Sequence, residues 1–285
     1  MRKKIKVGFS DFWFGFDPKS DKIFYDLLNQ YYDIIYDNND PDILFFSIYG
    51  NSHKKYNCTK VFFSPENFYT HKYNVLDKIL TENNLFLIAD FSITSFDLNN
   101  KRNFRMPCYI RRYGYEIKNK ISERKLIKKE KKILFLHSNC VSFRDNFVKK
   151  LQRYINVDCP GNCNRNININ VQDKLRYLED YKFVMAFENS SYPNYNTEKL
   201  IDGFISNTIP IYWGDTNVHN DFNTNSFINY HNFVNEEEVI ENILKVDSES
   251  KLYEEMLMAN PIVNNSLFDE SFFIDFFNEV VYYSK

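Results

Sequence analysis

The stretch at residues 181–215, YKFVMAFENSSYPNYNTEKLIDGFISNTIPIYWGD, constrains the fold of this chain more than any other. Residues 183–187 are an apolar run of strand length. Leu200, Ile201, Phe204 and Ile205 then recur at the spacing of one helical face, and residues 209–213 are again apolar and β-branched before Gly214. Strand, helix and strand with short connections make a βαβ unit, which predicts a parallel α/β fold. The polar loop 188–196 falls beyond the carboxyl end of the first strand, where open α/β sheets bind ligands. Thr197 is a suitable N-cap, which puts Glu198 and Lys199 in the first turn of the helix. A lysine there opposes the helix dipole unless an anion is near, and free amides with an ammonium group suit a phosphate. For a lone TEK, a surface lysine on a buried βαβ unit is the preferred reading.

The wider motif decides between these readings. FENSSYPNYNTEK followed by IPIYWG resembles the donor-binding motif of the α1,3/4-fucosyltransferases, glycosyltransferase family 10. That pattern runs F-E-N-x-x-x-x-x-Y-[VI]-T-E-K, with [VI]-P-[VI]-Y-x-G after it, and the spacing from Glu188 to Lys199 fits without a gap. The departure is Asn196, where the family carries Val or Ile and where the side chain is expected to pack beneath the loop. HSNCVSFRDNFVKKL is similar to the family's S-N-x-x-x-x-R-x-x-[FY] element, and SPEN at 64–67 to its strand followed by x-x-E-N. Residues 90–97 and 105–107, and the Pro160-Gly161 turn with Cys163, stay in register with the family pattern.

Composition closes off other classes. A formal charge of −2 lacks the broad basic surface that general nucleic-acid binding needs. Only 7 glycines occur, and neither GxGxxG nor GxxxxGK[ST] is present. Asp11 interrupts the first apolar run too early for a secretory or membrane segment, and no later run reaches spanning length. Five cysteines without such a segment predict a cytoplasmic protein with reduced thiols. Cys159 and Cys163 have the wrong spacing for a metal knuckle and read as buried thiols about a turn. Asp40-Pro41-Asp42 spells DxD, but it precedes a strand and contains a proline, so it reads as a turn. No other cluster has metal-ligand spacing, so no metal site is expected.

The N-terminal half reads as βαβ-rich, with strands at 4–10, 33–36, 43–47, 60–64 and 85–89. A helix follows the first strand, with Ile23, Phe24, Leu27, Leu28 and Tyr31 on its buried face, and residues 76–80 suggest a short one. Glu66 follows the strand VFFS in a proline turn, where a carboxylate can take a proton from a sugar hydroxyl; a surface glutamate is the plainer alternative. Trp13 and Tyr69 fall near strand ends, on the acceptor side or in the core. Residues 118–132, KNKISERKLIKKEKK, are the strongest shift in composition. They read as a solvated helical linker, able to touch an anionic membrane surface peripherally. A second domain opens with a strand at 133–138. Ser142-Phe143-Arg144-Asp145 has the capping-box form, which places Arg144 in the first turn of the next helix. Further helices are expected at 172–181, around Val239 and Leu252, and at 272–283.

The predicted fold class is α/β of the GT-B type, two Rossmann-like domains facing across a cleft. Residues 1–117 would bind acceptor, 118–132 would link, and 133–285 would bind donor, with the last helix packing back on the first domain. The resemblance implies an inverting fucosyltransferase that moves L-fucose from GDP-fucose to a glycan hydroxyl, forming an α1,3-linkage to GlcNAc or glucose. It implies Glu66 as the base, and Arg144, Asn189, Tyr195, Glu198 and Lys199 as donor-binding residues. It needs no cofactor or essential metal, because two cationic helix ends would neutralise the diphosphate. A GT-B enzyme for another nucleotide sugar, or a nucleotide-sugar or glycan binder without turnover, are the competing readings.

Overall fold

Two fully parallel sheets carry the chain, and a computed structural model describes residues 2–68 and 82–284 of it. Tyr69 and the short helix expected at 76–80 lie outside the described residues. The first sheet comprises β1 (Lys3–Ser10), β2 (Tyr32–Tyr36), β3 (Ile43–Phe46), β4 (Thr59–Ser64), β5 (Phe91–Thr94) and β6 (Asn103–Arg105), in the order β2-β1-β3-β4-β5-β6. The second comprises β7 (Lys131–Leu134), β8 (Val157–Asp158), β9 (Tyr181–Phe187), β10 (Ile209–Trp213) and β11 (Ile228–Asn229), in the order β11-β10-β9-β7-β8. The helices are α1 (Leu28–Tyr31), α2 (Glu82–Leu85), α3 (Cys108–Tyr113), α4 (Ile117–Ser122), α5 (Ser142–Leu151), α6 (Lys174–Leu178), α7 (Glu198–Ile205), α8 (Glu236–Ser248), α9 (Ser250–Met258) and α10 (Glu270–Tyr283). Both sheets have doubly-wound order, in which the chain reverses direction between the first and third strands. That reversal lies between β1 and β3 in one sheet and between β7 and β9 in the other.

The compact units are Met1–Ile117 with Ser266–Lys285, and Lys118–Asn265. The chain thus returns to its first unit through α10. Phe277 meets Tyr32 at 5.3 Å between ring centroids, Phe276 meets Phe91 at 5.9 Å, and Phe273 meets Phe104 at 5.3 Å. In the second unit, Phe183, Met185 and Phe187 of β9 point into one core with Phe147, Val148 and Leu151 of α5, while Val184 points to the other face. Both faces of the strand are buried, which is why its sequence is a continuous apolar run rather than an alternation.

Several expectations are corrected. The run 85–89 is no strand: α2 ends at Leu85 and a turn follows, with the Ala89 amide bonded to the Leu85 carbonyl at 3.2 Å. Short apolar runs do not by themselves separate helix from strand. The segment 118–132 is largely exposed, as expected of a linker, but it is not one helix. Only α4 is helical there, β7 starts at Lys131, and Arg124 is buried over the Phe204 ring at 5.3 Å. Lys129 turns inward as well and donates to the Glu179 and Ser206 carbonyls; burial lowers its pKa to about 8. Lys120, Lys125 and Lys128 remain exposed. No described helix is long and apolar enough to cross a membrane. Finally, Cys140 and Cys163 form a disulfide, with a Cα–Cα distance of 5.3 Å, so the thiols are not all reduced; Cys58, Cys108 and Cys159 belong to no disulfide among the described residues.

Candidate active site

In the second unit, the segments after β7 and β9 meet where the strand order reverses. His137, Asn139 and Arg144 come from the first segment, and Glu188 to Lys199 from the second. Arg144 is 1% exposed. Its Nη1 donates to the Phe187 carbonyl at 3.1 Å and to Asn189 Oδ1 at 3.0 Å, and its Nη2 donates to the Asn139 carbonyl. Arg144 Nη1 also donates to His137 Nδ1 at 3.3 Å, while His137 Nε2 faces the Met185 carbonyl at 3.2 Å. These partners require a neutral imidazole with its proton on Nε2. Burial, then the Arg144 and Lys199 charges, hold the His137 pKa well below the ordinary range. The Arg144 guanidinium lies beneath the loop and gathers carbonyl oxygens, with Nε buried and without a hydrogen-bond partner among the described residues. Its helix starts differently from the expected capping box. Val141 is the N-cap of α5, and Ser142 makes no capping bond, because the Asp145 amide bonds to the Val141 carbonyl at 3.0 Å instead.

Glu188 is the residue that the sequence placed in this loop without a role. It is 0% exposed. Its Oε1 accepts from the Thr197 amide and hydroxyl, both at 2.8 Å, and its Oε2 accepts from Lys199 Nζ at 2.7 Å. Thr197 is the N-cap of α7, as expected, but its hydroxyl makes no capping bond to the helix. It serves Glu188 instead, and receives a hydrogen bond from Lys199 Nζ at 2.8 Å. Burial raises the Glu188 pKa, and the Lys199 charge opposes that rise. A desolvated carboxylate needs such a partner, since an unpaired buried charge is strongly unfavourable. Gly214, at the end of β10, is required here because a Cβ would overlap the Glu188 side chain. The signal was available in sequence: an acid ending an apolar strand, with a lysine in the first turn of the next helix.

The remaining expected donor residues divide. Asn189 is exposed, with its Oδ1 on Arg144, and Glu198 is partly exposed, 3.9 Å from Lys199 Nζ. Tyr195 is 2% exposed and belongs to the core under the loop, not to an open pocket wall. Asn196 is 0% exposed, and neither amide atom has a hydrogen-bond partner among the described residues. The far side of the loop is held by Asp215, whose Oδ1 accepts from the Asn194 amide at 2.6 Å and the Asn217 amide at 2.8 Å.

In the first unit, Glu66 follows β4 and is partly exposed. Its turn is pinned by Ser64 Oγ donating to the Glu66 carbonyl at 3.2 Å and Ser95 Oγ to the Pro65 carbonyl at 2.6 Å. Asp11, after β1, is no free base. Its Oδ2 accepts from the His53 amide at 2.8 Å and faces His53 Nδ1 at 2.9 Å, and its Oδ1 accepts from the Ser52 amide at 2.9 Å. Burial alone would raise this carboxyl, but the bonds from His53 and Ser52 prevail and pull it to about 2. Asp40 and Asp42 are both engaged with Lys6, through its Nζ and its amide, each at 2.8 Å. Among the described residues, the group close enough to surround an ion is Cys140, Asp145 and Cys163, and two of these are covalently joined.

Residues 126–258 match the family described as glycosyltransferase family 10 (fucosyltransferase) C-term, and residues 7–112 match the alpha-(1,3)-fucosyltransferase FucT N-terminal domain. The alpha-(1,3)-fucosyltransferase FucT of Helicobacter pylori is 38% identical over 130 residues, covering 46% of this chain and 27% of the relative. The GDP-fucose protein O-fucosyltransferase 3 of Homo sapiens is 32% identical over 146 residues, covering 47% and 30%. The matched part thus spans about a third or less of these relatives. A crystal structure of an alpha1,3-fucosyltransferase superposes with a TM-score of 0.82 at 25% identity, covering 98% of this chain and 90% of that one. Another, with GDP-fucose, superposes at 0.79 with 23% identity, covering 98% and 91%. With both halves matched and the two parallel sheets of a GT-B fold, the chain belongs to glycosyltransferase family 10, the α1,3-fucosyltransferase family.

Proposed function

We propose that this protein transfers L-fucose from GDP-fucose to a glycan hydroxyl with inversion, forming an α1,3-linkage to GlcNAc or glucose. The observation that carries the reading is the Lys199–Glu188–Thr197 cluster at the start of α7, beside the buried Arg144. In a glycosyl transfer the bond from C1 of fucose to the diphosphate oxygen breaks as the acceptor oxygen attacks. Negative charge grows on the leaving GDP. Lys199 and the N-terminal amides of α7 are suited to receive it, in a site that needs no reorganisation because Glu188 already fixes the ammonium. Arg144 acts as a positioning residue that holds the carbonyl ends under Glu188 and Asn189, and Glu198 is available to the donor sugar or ribose. Glu66 takes the acceptor proton as the new bond forms. The donor charge is met by Lys199 and the start of α7, so no metal is required in this reading.

The test is a transfer assay with labelled GDP-fucose across a glycan panel, run with and without excess chelator. Transfer should persist with chelator; loss restored by added Mn²⁺ would refute metal independence. Glu66→Gln keeps the shape but not the basicity of the side chain. It should leave GDP affinity unchanged while transfer falls by about 10² to 10⁴. Near-normal transfer by this variant would remove Glu66 from the mechanism.

A further inference from the structure

The first unit carries a cavity of about 290 Å³ at the carboxyl ends of β1 and β2, lined chiefly by Phe9, Phe12, Trp13, Phe16, Tyr36 and Asn38. In a doubly-wound sheet the expected ligand crevice lies between the first and third strands. Here that crevice is closed, because the Asp11–His53 pair is buried across it, with side chains 3% and 2% exposed. The opening lies one strand further out instead. Its wall is a ring cluster: Phe12 stacks on Phe16 at 4.0 Å, Trp13 meets Phe16 at 4.9 Å, and Phe9 stacks on Tyr36 at 6.2 Å. Arg111 covers Trp13 at 4.6 Å and is itself paired with Asp21 at 2.9 Å. The polar groups left over are donors. Asn38 Oδ1 is taken by the Phe9 amide at 2.8 Å, which leaves the Asn38 Nδ2 hydrogens; neither these nor Trp13 Nε1 has a partner among the described residues. Phe14, at the tip of the same loop, is fully exposed.

Aromatic walls with spare donors fit a pyranose ring, which offers an apolar C–H face and hydroxyl oxygens as acceptors. The volume is at the small end of ligand pockets, suited to one ring rather than a whole glycan. The cavity opens on the β1–β2 side of the sheet, and its Phe12 wall reaches back to stack on Phe63 of β4 at 5.8 Å. Sheet order places β1 two strands and β2 three strands from β4, which leads to Glu66, a separation of about 10–14 Å at the usual strand spacing. That is longer than one sugar ring. We propose that this cavity is a distal acceptor subsite, which makes the preferred acceptor an oligosaccharide whose remote sugar docks on Trp13 and Asn38. The inference rests on the glycan-transfer reading for the identity of the ligand.

Two measurements test it. In steady-state transfer with lactose- and N-acetyllactosamine-based acceptors of two and four rings, kcat/KM should rise by about tenfold for the longer glycan, through KM. Trp13→Phe and Asn38→Asp each keep the packing, or the bond to Phe9, while removing a donor. They should reduce that gain and leave two-ring rates and GDP affinity unchanged. Equal rates for both lengths in the wild type, or equal losses for both in the variants, would overturn the subsite. The second measurement needs no turnover. The chain has two tryptophans, so Trp213→Phe leaves Trp13 as the sole indole. Its fluorescence should respond to a four-ring glycan and not to a monosaccharide. A response without any fucose transfer would refute the transfer reading alone; no response would refute the subsite.

Discussion

Lys199 and Glu188 form a pair in which each charge justifies the other. The carboxylate is fully buried, and the ammonium is its charged partner at 2.7 Å. Lys199→Ala should weaken GDP binding by roughly 10- to 150-fold, the equivalent of one charge-assisted hydrogen bond of about 1.5–3 kcal/mol. It should also cost about 3–5 kcal/mol of stability, because Glu188 is left buried and unpaired. The double change Lys199→Met with Glu188→Gln separates the two effects. Stability by denaturant titration should largely return, and GDP affinity by calorimetry should not. Asn196 gives the opposite case. Its amide is buried without partners among the described residues, and the family carries Val or Ile there, so Asn196→Val should stabilise the protein by about 1–3 kcal/mol. An unchanged or lowered denaturation midpoint would show that the amide has a partner in solution.

At the scale of elements, loops after strands do the positioning in both units, and each loop is fixed by a buried polar group. After β9 it is Glu188, after β7 it is Arg144, and after β1 it is Asp11. Asp11 has a positive φ of 61° and a carboxylate satisfied from two directions, so its loop is held in one shape by bonds to the segment after β3. Its folded pKa of about 2 lies below the unfolded value. The stabilisation is therefore fully present above the unfolded carboxyl pKa of about 3.9 and is lost as pH falls toward about 2. Acid unfolding should lose on the order of 2 kcal/mol in that window, and Asp11→Asn should flatten that part of the stability–pH curve. An unaltered curve would mean that the Asp11–His53 contact does not hold the carboxylate ionised.

For the whole molecule, the return of α10 to the first unit is the long-range feature with the largest stability consequence. Phe277 is fully buried and meets Tyr32 at 5.3 Å and Phe45 at 6.2 Å, on strands from the opposite end of the sequence. Phe277→Ala should cost about 3–5 kcal/mol, the usual penalty for emptying an aromatic site. The loss should appear in unfolding followed by probes in the first unit, while GDP affinity, which belongs to the second unit in the proposed reading, should be retained. Loss of GDP binding at temperatures where the variant remains folded would refute that division of labour.

What the sequence determined by itself is whatever its local periodicity encodes. The apolar runs of β9 and β10 with the helical face of α7 between them dictate a parallel βαβ unit, and the family motif fixed the positions of Glu188 and Lys199 within it. Local pattern also placed β1, β3 and β4 to within a residue or so. What only the tertiary structure decided is where polar side chains turn once they leave water. The capping-box spacing placed Arg144 in the first turn of a helix; packing decided that it lies beneath the loop, where it gathers carbonyl oxygens from β9. The run 118–132 looked like a helical linker, yet its helix ends at Ser122 and Arg124 is buried. Cys140 and Cys163 are 23 residues apart and became neighbours only because β7 and β8 lie side by side. Spacing along a chain records which residues can share an element. Hydrogen-bond partners and desolvation are set by segments distant in sequence, and no periodicity reports them.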